Sequence, residues 1–198
     1  MRERSVAILG KGPSVKRCTK EFIDSFDTVV ACGRPVFDGY EEYIGDRVHY
    51  DYSNRTSTPY TSQQRDELGI IKHIDTGSGT DIRNNFKFKD LDPSTGILAF
   101  HNFVTNPEYS SIALIGFDLL QTNKKMYYFK NEEFDPALDW LWENGTYDQD
   151  GKLTIVSGHN TERTYEYLNT MFDLHPEKKF YIISSYPFEK KKNVVVVQ

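Results

Sequence analysis

The residues best suited to chemistry are scattered along the chain and share one kind of place, the end of an apolar run. Gly10-Lys11-Gly12-Pro13-Ser14 follows the run Ser5–Leu9. Two glycines allow a tight turn and close approach of a ligand, because neither carries a Cβ. Pro13 suits a first helical position, where its missing N–H is no loss. A strand, a glycine turn and a helix start can converge backbone N–H groups on an anion such as a nucleotide phosphate. An ordinary βα turn with no ligand has the same pattern. The stretch is not a G-x-G-x-x-G fingerprint, since Val15 stands at the third glycine position, and it is not a Walker loop.

Ser94, Thr95 and Gly96, after Pro93, offer hydroxyl and N–H donors at a helix start, either a second anion site or a simple N-cap. In an open parallel sheet, ligands bind outside the carboxyl ends of the strands. Those ends supply Lys11 and Gly12, Gly33, Asp51, and Gly116 to Asp118.

Of five histidines, His159 in Ser157-Gly158-His159-Asn160 is the candidate general base. A helix N-terminus disfavours its charged form and keeps it able to accept a proton. His49 reads as a mid-strand packing residue and His101 as part of the core. His73 and His175 lie in polar surroundings with nothing in the sequence near them to activate either. Metal is not implied: there is no H-E-x-x-H, no C-x-x-C pair and no carboxylate cluster, and Asp148-Gln149-Asp150 reads as a surface turn. A G-x-S-x-G elbow is also missing.

The elements that must position these residues follow from the apolar runs. Strands are expected at Ser5–Leu9, Thr28–Cys32, Arg47–Asp51, Ile70–Ile74, Ser111–Ile115 and Lys179–Ser184, with an edge strand at Asn193–Val197. A largely buried helix is expected from Gly96 to about Thr105. Another, capped by Asn160, runs from Thr161 to Phe172 with Tyr165, Leu168, Met171 and Phe172 on one face. The alternation predicts one α/β domain over residues 1–198, Rossmann-like, with a mostly parallel sheet flanked by helices. From about residue 120 to 151 the chain is aromatic and aperiodic, which reads as a flexible lid inserted in that domain; a packed helical subdomain is the other reading.

Composition narrows the class. A chain of 198 residues can bury a sizeable core, and a mean hydropathy of -0.60 fits a soluble globular protein. No membrane span or signal peptide is legible. Net charge is -5, so no global basic field draws in nucleic acid. Lys190, Lys191 and Lys192 form the one basic cluster near the end, a solvated tail or a weak contact with an anionic membrane surface. Cys18 and Cys32 read as reduced packing residues of a cytoplasmic protein. The sequons at Asn54 and Asn144 have no secretion signal to support them.

Four of these stretches, in this order, resemble the small bacterial sialyltransferases that decorate lipooligosaccharide, and more distantly the animal sialyltransferases. They are Val6–Lys16, Ser94–Ile97, Ile112–Asp118 and Gly158–Asn160, and together they span nearly the whole chain. The resemblance implies a glycosyltransferase that is inverting and metal-independent, with a sugar moving from a cytidine monophosphate donor to an acceptor hydroxyl. That nucleotide sugar is a substrate, and no cofactor is implied. His159 would take the proton from the acceptor hydroxyl. Gly10, Lys11, Gly12, Gly116 and Asp118 would lie on the nucleotide side, with Ser94, Thr95 and Gly96 positioning the phosphate or sugar. Tyr127 or Tyr128 would steady the departing phosphate.

The chain also departs from that family. Lys11, Gly33 and Asp51 stand where the bacterial enzymes carry asparagines, and Leu120 where they carry a tyrosine. The third asparagine helps hold the donor's carboxylate. A carboxylate at Asp51 would repel one at contact by about 4 kcal/mol for an effective dielectric near 20. The expected donor sugar is therefore sialic acid or a neutral sugar. The acceptor is a glycan or another hydroxyl compound. Two other readings stay open: transfer of a pentose or hexose onto a hydroxylated base in DNA, and a nucleotide-binding module without catalysis. Self-association is also left open.

Overall fold

The computed structural model describes residues 3–54, 60–88, 91–119, 128 and 160–197. Its centre is a seven-stranded sheet in which every pairing between strands is parallel. The strands are β1 (Arg4–Leu9), β2 (Thr28–Cys32), β3 (Tyr50–Ser53), β4 (Lys72–Asp75), β5 (Tyr109–Ile115), β6 (Lys179–Ile183) and β7 (Val194–Val197). Their order is β4-β3-β2-β1-β5-β6-β7. The chain thus winds outward from β1 to one edge, returns to β5 on the other side of β1, and winds to the second edge. The reversal between β1 and β5 is the switch point at which such sheets open a crevice. This is the expected Rossmann-like α/β arrangement.

Both faces are covered, so β1, β2 and β5 are apolar on both sides, as parallel strands must be. On one face Val6, Ile8, Val30, Ile112, Leu114, Phe180 and Ile182 pack against helices over Thr95–Val104 and Thr161–Leu174. On the other, Ala7, Leu9, Val29, Ala31, Ala113 and Ile115 pack against Val15, Ile23, Phe26, Phe37 and Ile44. Those residues come from a 3-10 turn (Pro13–Arg17), short helices α1 (Lys20–Asp24) and α2 (Glu41–Ile44), and the segments beside them. Two more helices, α3 (Ser62–Leu68) and α4 (Asp81–Asn85), flank β4. The helices over Thr95–Val104 and Thr161–Leu174 are α5 and α6.

Several boundaries differ from the sequence reading. The third strand begins at Tyr50 rather than Arg47 and runs on through Ser53. Arg47 is drawn off the sheet by bonds to the Asp24 carboxylate and the Asp24 and Phe26 carbonyls. His49 lies just before the strand, where its Nδ1 accepts the Val29 N–H at 2.9 Å. Asp51 is therefore an interior strand residue, 1% exposed, and does not open into a cleft as a terminal residue would. The fourth strand starts at Lys72, leaving Ile71 70% exposed. The turn after α3 holds Ile70, whose N–H bonds the Arg65 carbonyl.

Helix α3 is announced by a capping box between Thr61 and Gln64, a signal the apolar pattern does not carry. On α6 Tyr167 is buried beside Leu168, Met171 and Phe172, with Tyr165 only partly covered. Tyr167 tolerates burial because its hydroxyl meets His101 Nδ1 at 2.8 Å. The residues from 184 to 193 cross the α6 face through buried Phe188, which stacks near Tyr165 and Tyr186. That crossing lets β7 pair parallel to β6. Lys191 is no free tail residue: its ammonium lies 2.7 Å from Asp173 on α6. Apart from Tyr128, the expected lid falls outside the described residues, Tyr127, Asn144 and Asp148–Asp150 included, and so does His159.

Candidate functional site

The glycine turn after β1 is zipped to the turn after β5. The Gly10 N–H donates to the Ile115 carbonyl at 2.7 Å, and the Gly12 N–H to the Gly116 carbonyl at 2.9 Å. A Cβ on Gly12 would sit 2.4 Å from Asp118 Oδ2 and 2.6 Å from the Gly116 oxygen, so no larger residue fits. Gly116 adopts a left-handed φ of 71°, and a Cβ there would meet Val15 at 2.5 Å. Asp118, 4% exposed, accepts the Ser14 N–H at 2.8 Å and the Ser185 N–H at 2.6 Å. The 3-10 turn is held further by Ser14 Oγ and Arg17, which donate to the carbonyls of Ile183 and Ser184.

This geometry corrects the expectation of free N–H groups waiting for a phosphate. Those of Gly10, Gly12, Ser14 and Val15 all have partners inside the chain, and Pro13 has none to give. The anion at the head of the turn is the protein's own Asp118. Its carboxylate, expected beside a nucleoside, knits the ends of β1, β5 and β6 together.

Lys11 leaves this turn sideways, toward β2. Its ammonium lies where a Cβ on Gly33 would be 3.3 Å away, so the small residue at the end of β2 makes room for the cation. Burial lowers the Lys11 pKa from 10.5 to about 8, with the Cys32 thiol acting the other way. Burial, then the Asp51 charge, pushes the Cys32 thiol well up, and both cysteines are free and buried. The next residue, Arg34, has a positive φ of 59°. Such backbone is costly for a bulky side chain and persists where surroundings enforce it. Arg34 donates to Gln64 of α3 at 3.2 Å and lies 5.4 Å from the Tyr60 ring centre.

One further strand along, Asp51 meets His73. The parallel register of β3 and β4 sets them side by side, and His73 Nδ1 lies 2.9 Å from Asp51 Oδ2. The sequence showed nothing near His73; 22 positions separate it from Asp51, and only strand pairing joins them. Matching residues of adjacent parallel strands was the one available signal. Burial raises the Asp51 pKa, while the hydrogen bond and charge of His73, then Arg34 and Arg65, pull against that rise.

The start of α5 closes the other side. Ser94 Oγ accepts the Ile97 N–H at 3.3 Å, so Ser94 is an N-cap. The Thr95 hydroxyl is hydrogen-bonded to that of Thr76, just past β4, at 3.2 Å. Gly96 faces Phe117 so closely that a Cβ would stand 2.9 Å from the ring. Arg83 braces this corner by donating to the carbonyls of Thr76 and Pro93. The ends of β1, β2, β4 and β5 and the head of α5 are thereby linked by contacts among Lys11, Gly12, Gly33, Thr76, Thr95, Gly96, Phe117 and Asp118.

Tyr128 is buried in the second core. Its hydroxyl donates to the Val36 carbonyl at 2.6 Å, its N–H to the Lys11 carbonyl at 3.0 Å, and its ring packs edge-on against Tyr40. The remaining histidines among the described residues hold local structure: His49 on Val29, His101 on Tyr167 and His175 beside Glu177. Among the described residues no cluster of three His, Cys, Asp or Glu is placed to hold a metal ion, and no helix is long and apolar enough to cross a membrane.

No protein family and no curated protein matches the sequence. Two solved structures are similar in shape. The MAf glycosyltransferase from Magnetospirillum magneticum AMB-1 matches over 100% of this chain and 34% of its own, at 13% identity and a TM-score of 0.50. A mammalian sialyltransferase matches over 90% of this chain and 68% of its own, at 13% identity and a TM-score of 0.40. The chain thus spans about a third of the length of the MAf protein, and what it shares with that protein is the fold.

Proposed function

We propose that this chain is a glycosyltransferase that takes a nucleotide-sugar donor at the carboxyl end of its parallel sheet. The observation that carries the reading is the Lys11 ammonium packed beside Gly33 at the end of β2, with the hydroxyl-bearing head of α5 tied to the same strand ends, beside the β1/β5 switch point. A nucleotide sugar needs a cation for phosphate, and acceptors and donors for sugar hydroxyls. The fold shared with the MAf glycosyltransferase and the motif resemblance support the same class.

In this reading the phosphate is met by Lys11 and by the donors of Thr95 and Gly96, because the N–H groups of Gly10, Gly12 and Ser14 already bond within the chain. His159 accepts the proton of the acceptor hydroxyl as that oxygen attacks the anomeric carbon. The bond from anomeric carbon to phosphate oxygen breaks, the nucleotide leaves with the electron pair, and the configuration inverts. Tyr128 is engaged by Val36, so the tyrosine left to steady the departing phosphate is Tyr127.

The test is a thermal-shift screen of cytidine, uridine, guanosine and thymidine nucleotides, followed by turnover of the matching nucleotide sugars. A nucleotide that raises Tm, with its sugar transferred or slowly hydrolysed, is expected. Stabilisation without any donor cleavage would leave a binding module in place of an enzyme. No stabilisation by any nucleotide would overturn the reading.

A further inference from the structure

The exits of β5 and β6 carry side chains that neither the clamp at the glycine turn nor the phosphate uses. Beyond β5, Phe117 meets the head of α5 at Gly96, and the Leu119 carbonyl accepts the Thr161 hydroxyl at the head of α6 at 2.8 Å. Leu119 adopts a left-handed φ of 49°. Such backbone is costly for a bulky residue, persists where surroundings enforce it, and gathers at functional sites. Beyond β6, the Ser185 N–H donates to Asp118 at 2.6 Å and the Tyr186 N–H to Ser184 Oγ at 3.0 Å. The head of α6 and the start of the crossing from β6 to β7 are thus pinned to the strand ends that flank the crevice.

Two tyrosines meet at that place. The rings of Tyr165 on α6 and Tyr186 on the crossing lie 4.9 Å apart, tilted by 46°. Both rest on buried Phe188, at 5.5 and 5.4 Å, while they themselves are only half-buried. Helical side chains lean toward the N-terminus of their helix, so Tyr165 leans toward Asn160 and the carboxyl end of the sheet. Glu162 is exposed one turn before it on the same side of α6. Burial, then Tyr165 and the Glu162 charge, raise the Tyr186 phenol pKa.

Half-exposed rings on a fixed support, with phenol hydroxyls and a carboxylate at the rim, match a pyranose: its apolar C–H face packs on aromatic carbon and its hydroxyls meet the polar rim. A nucleotide suits the place less well, because Glu162 repels phosphate. Lys11, the cation for phosphate, lies toward β2. In the order β2-β1-β5-β6 that is three strand intervals from the β6 exit, about 14 Å. The donor's nucleotide is held on the far side of the switch point, and the β6 side is left to the second substrate. His159, which in the proposed reaction takes the acceptor's proton, directly precedes the cap Asn160 in sequence.

We infer that Tyr165 and Tyr186 form the acceptor subsite, stacking one pyranose ring of a glycan acceptor while Glu162 accepts its hydroxyls. This rests on the glycosyltransferase reading and names the acceptor class and where it binds. No bond forms or breaks at these residues.

The experiment uses the full chain with the methyl glycosides of galactose, glucose, mannose and N-acetylglucosamine, and lactose as a two-ring probe. Saturation-transfer NMR of the unmodified protein is expected to mark the C–H protons of one pyranose face in at least one probe, and titration gives its Kd. Tyr165→Ala and Tyr186→Ala are each expected to raise that Kd about five- to tenfold. Tyr165→Phe and Tyr186→Phe keep the ring and are expected to stay within about threefold. The rise in Tm produced by free cytidine and uridine nucleotides is expected to be the same in all four variants.

No glycoside binding by the unmodified protein overturns the inference, and so do Ala variants that lose stability but keep the glycoside Kd, the mark of a purely structural pair. Ala variants that lose nucleotide affinity and keep glycoside binding give the rings to the base and also overturn it. In each case a nucleotide that still stabilises the unmodified protein leaves the glycosyltransferase reading standing. If Tyr165→Ala fails to fold, Tyr186→Ala, outside any helix or strand, decides. If no nucleotide stabilises the unmodified protein, the glycosyltransferase reading falls and this inference falls with it.

Discussion

The carboxylate of Asp118 stands within 2.8 Å of the Ser14 nitrogen, 104 positions away in the chain, and fills the place at the glycine turn where a ligand anion would otherwise sit. The contact depends on Gly12, over which the carboxylate lies too closely for any Cβ. Gly12→Ala is expected to cost about 3 kcal/mol or more, because backbone and a fully bonded carboxylate must both move. Asp118→Ala leaves the Ser14 and Ser185 N–H groups without acceptors and is expected to cost about 2–4 kcal/mol. Urea unfolding of both variants measures these losses. A cost near zero for Asp118→Ala would mean that water replaces the clamp.

Lys11 gives a pH signature. Its native pKa is about 8 against 10.5 for an ordinary lysine. Between those values the unfolded chain binds more protons, so stability rises with pH across that window. Below pH 8 both states hold the proton and the full penalty remains. Lys11→Met is expected to stabilise the protein at pH 7 by on the order of 2 kcal/mol, the gain fading toward pH 10.5. Nucleotide affinity should move oppositely, falling in the variant and, for the unmodified protein, falling as pH rises through about 8. Calorimetry from pH 6.5 to 9.5 tests this, and a flat affinity would remove Lys11 from phosphate binding.

Tyr128 separates packing from catalysis. Its hydroxyl donates to Val36 in a buried setting, so Tyr128→Phe is expected to lose about 1–2 kcal/mol of stability. Turnover should stay within about twofold, a free-energy change of about 0.4 kcal/mol. A large fall in kcat with intact folding would return Tyr128 to the leaving phosphate.

His159→Ala is expected to leave nucleotide binding intact and to reduce transfer about a hundred- to ten-thousandfold, the usual worth of a positioned general base. Steady-state kinetics beside calorimetry for the free nucleotide reads both. Undiminished transfer would exclude His159 from proton removal.

The strands most readily read from sequence are those buried on both faces. Thr28–Cys32 coincides with the structure, and β1, β5 and β6 differ by a residue or two at their ends, because an apolar run without polar interruption has few other places to go. The strands toward one edge were harder. Lys72–Asp75 and Tyr50–Ser53 mix polar and aromatic residues, and their limits are set by where Arg47, His49 and Ile71 find long-range partners. The short helices α1 to α4 carry little periodicity at four to seven residues each.

For the site, the sequence by itself determined which residues stand at strand ends: Gly12, Gly33, Asp118 and the Ser94–Gly96 cap are all legible from local pattern. Local pattern is enough there because glycine, proline and capping residues act on their own backbone. Only the tertiary structure decided what each end faces. It turned the N–H groups of Gly10, Gly12 and Ser14 inward to Ile115, Gly116 and Asp118, packed Lys11 against Gly33, and joined His73 to Asp51. Those pairings arise from sheet order and register, which depend on packing both faces of seven strands at once and leave no mark on neighbours in sequence.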